Sequence, residues 1–269
     1  MERYRLKNII IIILALVNVF LLGSLAMRGQ AERSTRRQTE DQLVALFAAD
    51  GITLDRGAIS AEAPPTGRTL ERDAALEQRA AAFLLESEVS ASDQGGGIYA
   101  YRGSSGTALF RSNGSFDADL GASGTLTADD ISAFCRKFSY SDPVFQVDET
   151  GSGTASAAQN CGSLPVFNCS VTFTFQEGLL TKVSGTLLPE NGTAASPDRE
   201  PLSAAAALTA FQKMRRESGA VVSAVTDLYP CYELQSSTAV SMSLVPAWCV
   251  VTDTAKYYVN CITGAVSSV

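Results

Sequence analysis

Six cysteines, at positions 135, 161, 169, 231, 249 and 261, are the most reactive side chains of this chain, and no histidine is present to activate them. A thiol nucleophile needs a base or a cationic neighbour that makes it a thiolate, and both Cys-His and Ser-His-Asp arrangements need an imidazole. Common zinc sites need closely spaced cysteine pairs, and the sequence has no CxxC. What remains for Cys135, Cys161, Cys169, Cys231, Cys249 and Cys261 is disulfide formation, for which an even number in an oxidising space is suited. Local bridges from Cys161 to Cys169 and from Cys231 to Cys249 are expected, leaving Cys135 and Cys261. A bridge from Cys249 to Cys261 competes, because a short turn between Asp253 and Tyr257 would set those two opposite each other.

The carboxylates offer little more. SxxK, GxSxG, P-loop and HExxH patterns are all absent. Asp253-Thr254-Ala255 has the look of an aspartic-protease loop, yet it lies where a hairpin turn is expected and lacks the second acid of a dyad. Asp117 and Asp119 beside Asn113 present oxygens to calcium without the bracketing Gly and closing Glu of an EF-hand. Asp129, Asp130 and Glu177 are candidates for a cell-envelope hydrolase working with carboxylates alone, but they fall on a helix start and a turn, where acids cap or meet solvent. Asn113-Gly-Ser, Asn168-Cys-Ser and Asn191-Gly-Thr read first as turn chemistry. The expectation is a non-enzyme with no catalytic residues, no cofactor, no metal site and no small-molecule substrate.

The element that places everything else is the uncharged run Ile9 to Met27, 19 residues long. At roughly 1.5 Å per residue it nearly matches a hydrocarbon core about 30 Å thick. A signal-anchor is expected, in contact with membrane lipid through residues 9–27. A cleaved signal peptide ending at Ser24-Leu25-Ala26 is the competing reading. Within the run, Ala15, Asn18, Leu22 and Gly23 share one side, and small residues with one amide are what packs helices together in lipid. With +2 on residues 1–8 and +3 on residues 28–37, the chain's −7 leaves −12 for residues 38–269. So acidic a body repels phosphate backbones, which argues against nucleic acid. Flanking Lys and Arg do not settle the orientation, but the cysteines place the body outside the cell. Hence a single-pass protein of the cell membrane is expected, with a cytoplasmic amino end and an extracellular carboxy-terminal domain.

Beyond the anchor, helices are predicted over 39–49 and 70–87, and short strands over 98–102, 107–111 and 116–120. Gly151 to Ala158 and Asn191 to Ser196 read as linkers. Leu126-Thr127-Ala128 through Phe134 is echoed by Leu202-Ser203-Ala204 through Phe211, each a helix opened by a hydroxyl N-cap. Cys169-Ser-Val-Thr is echoed by Cys249-Val-Val-Thr, and Ser184-Gly185 by Thr263-Gly264. The expected fold is α+β: a single transmembrane helix followed by repeated units of one helix packed on a curled antiparallel sheet. The expected divisions are a tail (1–8), the anchor (9–27), a stalk and short helix (28–69), and three α+β units (70–125, 126–190 and 202–269).

The segments LKNIIIIILALVNVFLL, LVALFAADGI and LVPAWCVVTDTAKYYVNCITGAV resemble the YycH/YycI regulators of the WalK/WalR two-component system, the YycI type most closely. Pro246-Ala247-Trp248, Tyr257-Tyr258-Val259-Asn260 and Thr263-Gly264 are similar to the last hairpin of that family and to PepSY-type modules. The six cysteines depart from the family pattern. The resemblance implies a non-enzymatic, membrane-anchored extracytoplasmic protein. It would bind a WalK-like sensor histidine kinase and a YycH-like sister regulator, and tune kinase output in the control of cell-wall metabolism. The alternative is a secreted or anchored PepSY-type binding or inhibitory module without a kinase partner.

Overall fold

Leu43 and Phe47, four residues apart on helix α1 (34–49), bury one face of that helix against α4 (Ala204–Ser218), where the Phe47 ring stacks on Phe211 at 6.3 Å. This computed structural model describes residues 17–18, 34–60, 62–121, 125–190, 192–195, 199–236 and 241–268. At the end of α1, Gly51 takes the left-handed conformation (φ 75°) that stops a helix, and Asp50 holds Arg215 and Arg216 of α4, each at 2.7 Å. β1 (Thr53–Leu54) and a 3-10 turn (Arg56–Ala58) follow, then β2 (Arg68–Glu71).

The next stretch contains α2 (Ala74–Leu84), the meander β3 (Ser90–Gly95), β4 (Ile98–Arg102), β5 (Gly106–Arg111) and β6 (Ser115–Leu120), and helix α3 (Ala128–Lys137). It closes with β7 (Val144–Val147), β8 (Gly153–Cys161), β9 (Leu164–Gln176) and β10 (Leu179–Thr186). Ile131, Phe134 and Cys135 of α3 pack with Ala80 and Leu84 of α2, Phe110, Phe116 and Phe173 in one core. Beyond it come β11 (Gly192–Ala194), α4, β12 (Ala224–Ser236), β13 (Ser241–Thr252), β14 (Lys256–Asn260) and β15 (Val266–Ser268). Here a second core forms as Leu208 and Phe211 of α4 meet Val225, Trp248, Val250 and Val259. Trp248 is wholly buried and its indole N–H donates to the Leu202 carbonyl at 2.8 Å. Truncating such a side chain costs about 3–5 kcal/mol.

The strands run in the order β11-β2-β13-β12-β9-β10-β6-β5-β4-β3, with β1, β14, β15, β7 and β8 branching from that path. Among the described residues the sheet runs on from one half to the other through one parallel pair, Tyr232 with Val166. Asn168 strengthens this seam by using its side-chain amide as a strand partner: it donates to the Leu234 carbonyl and accepts from the Leu234 N–H, both at 2.8 Å. The whole first half lies between β2 and β11, which pair with each other through Leu70 and Gly192.

Several expectations are corrected. The transmembrane helix followed by repeated helix-on-sheet units gives way to one fifteen-stranded mixed sheet, in which β1 and β9 both pair parallel with β12. The sequence echoes record local chemistry, the hydroxyl caps Thr127 and Ser203 and the apolar faces behind them, and local chemistry does not specify which distant strands pair. The single-pass membrane placement, with cytoplasmic amino end and extracellular body, is also corrected. No helix among the described residues is long and apolar enough to cross a membrane. The run 9–27 falls outside the described residues except for 17–18, which are helical. The helix expected over 70–87 begins at Ala74, because Leu70 is a wholly buried residue of β2 and Asp73 caps the helix. The linker expected over 151–158 is largely strand β8, whose small Ala155 and Ala157 side chains fit beneath the crowded aromatic core.

Candidate functional site

Where β2 gives way to α2, Arg72 and Asp73 mark the turn, and the Asp73 carboxylate accepts the Leu76 N–H at 2.9 Å to open the helix. One turn on, Glu77 points inward and is buried. Arg72 grips it with two parallel hydrogen bonds, Nε to Oε1 at 2.8 Å and Nη2 to Oε2 at 2.6 Å. The Tyr101 hydroxyl donates to the same Oε2 at 2.9 Å, and the Tyr99 ring lies 3.2 Å beneath the guanidinium carbon. Burial, reinforced by the hydrogen bond to Glu77, pushes the Tyr101 phenol up to about 12. Burial opposes the charge of Arg72, but the Glu77 carboxylate outweighs it and holds the guanidinium above its ordinary value.

Beside this cluster opens a cleft of about 460 Å³, lined by Thr69, Glu71, Arg72, Asp73, Pro189 and Thr193. Its walls come from both halves of the fold, since β2 and β11 pair here while α2 starts the first core. The lining offers hydroxyls, carboxylates and a neutralised guanidinium: groups that recognise polar or cationic side chains, with no activated nucleophile among them.

The acids singled out from sequence have structural partners. Asp130 closes a capping box, accepting from the Thr127 N–H at 2.9 Å and its hydroxyl at 2.7 Å, and these bonds hold its carboxyl below the usual range. Asp129 stands beside it in the first turn of α3. Glu177 sits in the β9–β10 turn with φ 51°. Asp253 accepts the Ser223 and Ala224 N–H groups at 3.0 and 3.2 Å, and these bonds hold its carboxyl low. Asp117 pairs with Arg111 at 2.7 Å while Asn113 caps its own turn, so the two do not converge on a cation. Among the described residues no group of three or more Cys, Asp or Glu side chains is arranged to hold a metal ion.

All six cysteines are free thiols, and five are buried, Cys161 being half-buried. Cys161 and Cys169 both belong to the seam cluster beneath Leu70 and Tyr232, where Arg68 Nη1 approaches the Cys161 sulfur at 3.4 Å. Cys231 and Cys249 lie on neighbouring strands but out of register: Cys231 faces Ala247, and Cys249 faces Tyr229 on one side and Tyr258 on the other. Cys135 belongs to the first core and Cys261 to the second, which separates them. Burial pushes the Cys135 thiol up to about 11 and those of Cys169 and Cys261 up to about 12, which keeps them protonated and inert at neutral pH.

Of the anchor contact residues, Ala15, Leu22 and Gly23 lie outside the described residues, and Asn18 is helical and exposed. Sequence reasoning did not find the Arg72–Glu77–Tyr101 cluster. The available signal was an arginine directly before a helix cap with a glutamate five residues on, a pattern also common on solvated helices.

No family model and no curated protein matches the chain. Among solved structures it is similar to an uncharacterized protein from Eubacterium rectale ATCC 33656, with 11% identity, a TM-score of 0.43, and coverage of 77% of this chain and 81% of that one.

Proposed function

We propose that this chain is a regulatory binding protein without a catalytic step of its own, which engages a sensor histidine kinase of the WalK type, together with a YycH-like sister regulator, and tunes kinase output. The observation that carries this reading is how the ionisable groups are used. Glu77, Arg72, Asp50, Asp130 and Asp253 each satisfy another group of the fold, and the buried thiols are held protonated. The open cleft beside Arg72 accordingly presents recognition chemistry. The resemblance of the closing segment to YycI-type regulators names the partner class.

The test is affinity capture of the full-length chain from cells, with the autophosphorylation rate of the purified kinase measured with and without it. Recovery of a sensor kinase whose autophosphorylation shifts supports the reading. A kinase that is neither recovered nor altered refutes it and leaves a binding or inhibitory module with a different partner, a reading that the exposed apolar edge of β7 also suits.

A further inference from the structure

A sheet that ends in an unpaired strand presents a row of free backbone donors and acceptors, and folded proteins blunt such edges by shortness, polarity or charge. Among the described residues, β11 and β15 are three residues long, and β3 is composed of Ser, Ala, Asp, Gln and Gly. β7 differs from these. It pairs only with β8, and its sequence Val144-Phe145-Gln146-Val147 leaves all four residues exposed, with Val144 at 60% and Val147 at 42%.

The register shows which groups are free. The Asp148 N–H donates to the Ser152 carbonyl at 2.9 Å, and Gln146 and Val144 lie opposite Thr154 and Ser156. By the alternation of an antiparallel ladder, Val144 and Gln146 bond to β8, and the N–H and C=O of Phe145 and Val147 turn outward. Phe145 also keeps an aromatic neighbour, Phe175, at 6.4 Å, which supports one side of the strand.

Charge selects the occupant. Asp142 precedes the strand, Asp148 and Glu149 follow it, and Glu177 stands in the turn beside Gly151, whose carbonyl accepts the Gly178 N–H. Two copies of β7 paired antiparallel would bring Asp142 of one alongside Asp148 and Glu149 of the other at both ends, which like charges oppose. A strand with lysine or arginine at its ends meets complementary charge in the same place.

We propose that the free edge of β7 is a docking site for an extended segment of a partner protein, with alternating apolar residues flanked by basic ones, which adds as a further strand. This rests on the reading of the chain as a binding protein and names the surface it uses.

The probe is a synthetic peptide of alternating valine and threonine with two lysines at each end, set against its counterpart with glutamates in place of lysines. Both are titrated into the full-length chain by fluorescence anisotropy. The lysine peptide is expected to bind saturably, and the glutamate peptide at least about tenfold more weakly. Val147→Pro removes an outward N–H without touching a ladder bond to β8 and is expected to weaken the lysine peptide about tenfold, whereas Val147→Thr leaves it unchanged. Circular dichroism on Val147→Pro guards against simple unfolding. If that variant is misfolded, Asp142→Lys with Glu149→Lys is the second arm, which spares the Asp148 carboxylate that accepts the Thr150 and Ser152 N–H groups, and there the preference for lysine over glutamate must disappear. Equal binding of both peptides to the unsubstituted chain, no binding of either, or self-association of the chain that Val147→Pro abolishes each overturns the proposal. None of these outcomes decides the kinase reading, which affinity capture tests separately.

Discussion

Replacing Glu77 by Gln removes one charge from the Arg72 cluster while keeping its shape. Two guanidinium hydrogen bonds and one phenol hydrogen bond now end on this carboxylate. Gln retains one acceptor oxygen but aims an amide N–H₂ at a donor, so at least one strong bond is lost and the guanidinium is left without its counter-charge. Breaking a buried pair by removing one partner costs about 3–5 kcal/mol. With side-chain exposures of 24% for Arg72 and 9% for Glu77, water can reach the freed guanidinium, which places the expected loss near 2–3 kcal/mol. Urea titration followed by tryptophan fluorescence and circular dichroism measures it. The double variant Glu77→Leu with Arg72→Met should recover much of the loss, since an apolar pair carries no desolvation cost. A second readout is the Tyr101 phenol, which should fall from about 12 towards 10.0 without reaching it, because burial, the larger cause, remains. A loss below about 0.5 kcal/mol together with an unmoved phenol titration would refute the reading of Glu77 as the buried counter-charge of Arg72 and acceptor of the Tyr101 hydroxyl.

Other outcomes follow from the same geometry. In the native chain without reductant, a thiol reagent should label Cys161 first and reach the other five only on unfolding; early labelling of two or more would contradict their burial. Asn168→Ala should cost about 1–3 kcal/mol by unpairing both Leu234 backbone groups, and hydrogen exchange should quicken at Leu234 more than in either core. Buried thiols and phenols with raised values stabilise the fold fully below their unfolded values of 9.0 and 10.0. Unfolding monitored against pH should therefore show stability falling from about pH 9, as the thiols ionise first in the unfolded chain, and continuing towards pH 12. Asp50 is the opposite case: Arg216 and Arg215 hold its carboxyl below 3.8, so its contribution is present above that value and lost as pH falls through the lowered one. Asp50→Asn should be less stable at neutral pH, and the difference should vanish in strong acid.

What the sequence made legible was local. Thr127 and Ser203 opened the helices expected of them, and the apolar residue three before an aromatic marked their buried faces, because capping and helical periodicity act within a few residues. The meander of β4, β5 and β6 followed from Gly-rich turns and alternation. β8 escaped notice because Thr-Ala-Ser-Ala-Ala-Gln has low strand propensity and earns its place only through the partners on either side. The mixed sheet escaped for a related reason: parallel pairing of β9 and β12 joins residues 66 positions apart, Val166 and Tyr232, and no window of sequence spans it. The Arg72–Glu77 pair was visible in spacing but not in burial, which depends on Tyr99 and Tyr101 arriving from β4.

The pairing of Leu70 with Gly192 has a consequence for how this architecture is assembled. Everything from Asp73 to Leu188 departs and returns at adjacent points of one ladder, so it stands to the remainder as a guest to a host, with chain ends already side by side. Joining Arg72 to Pro189 through a few glycines should leave a host of α1, α4 and their strands with its own core intact, and the excised guest carries termini close enough to be closed into a ring. Chain surgery of that kind would turn one covalent polypeptide into two independently foldable pieces.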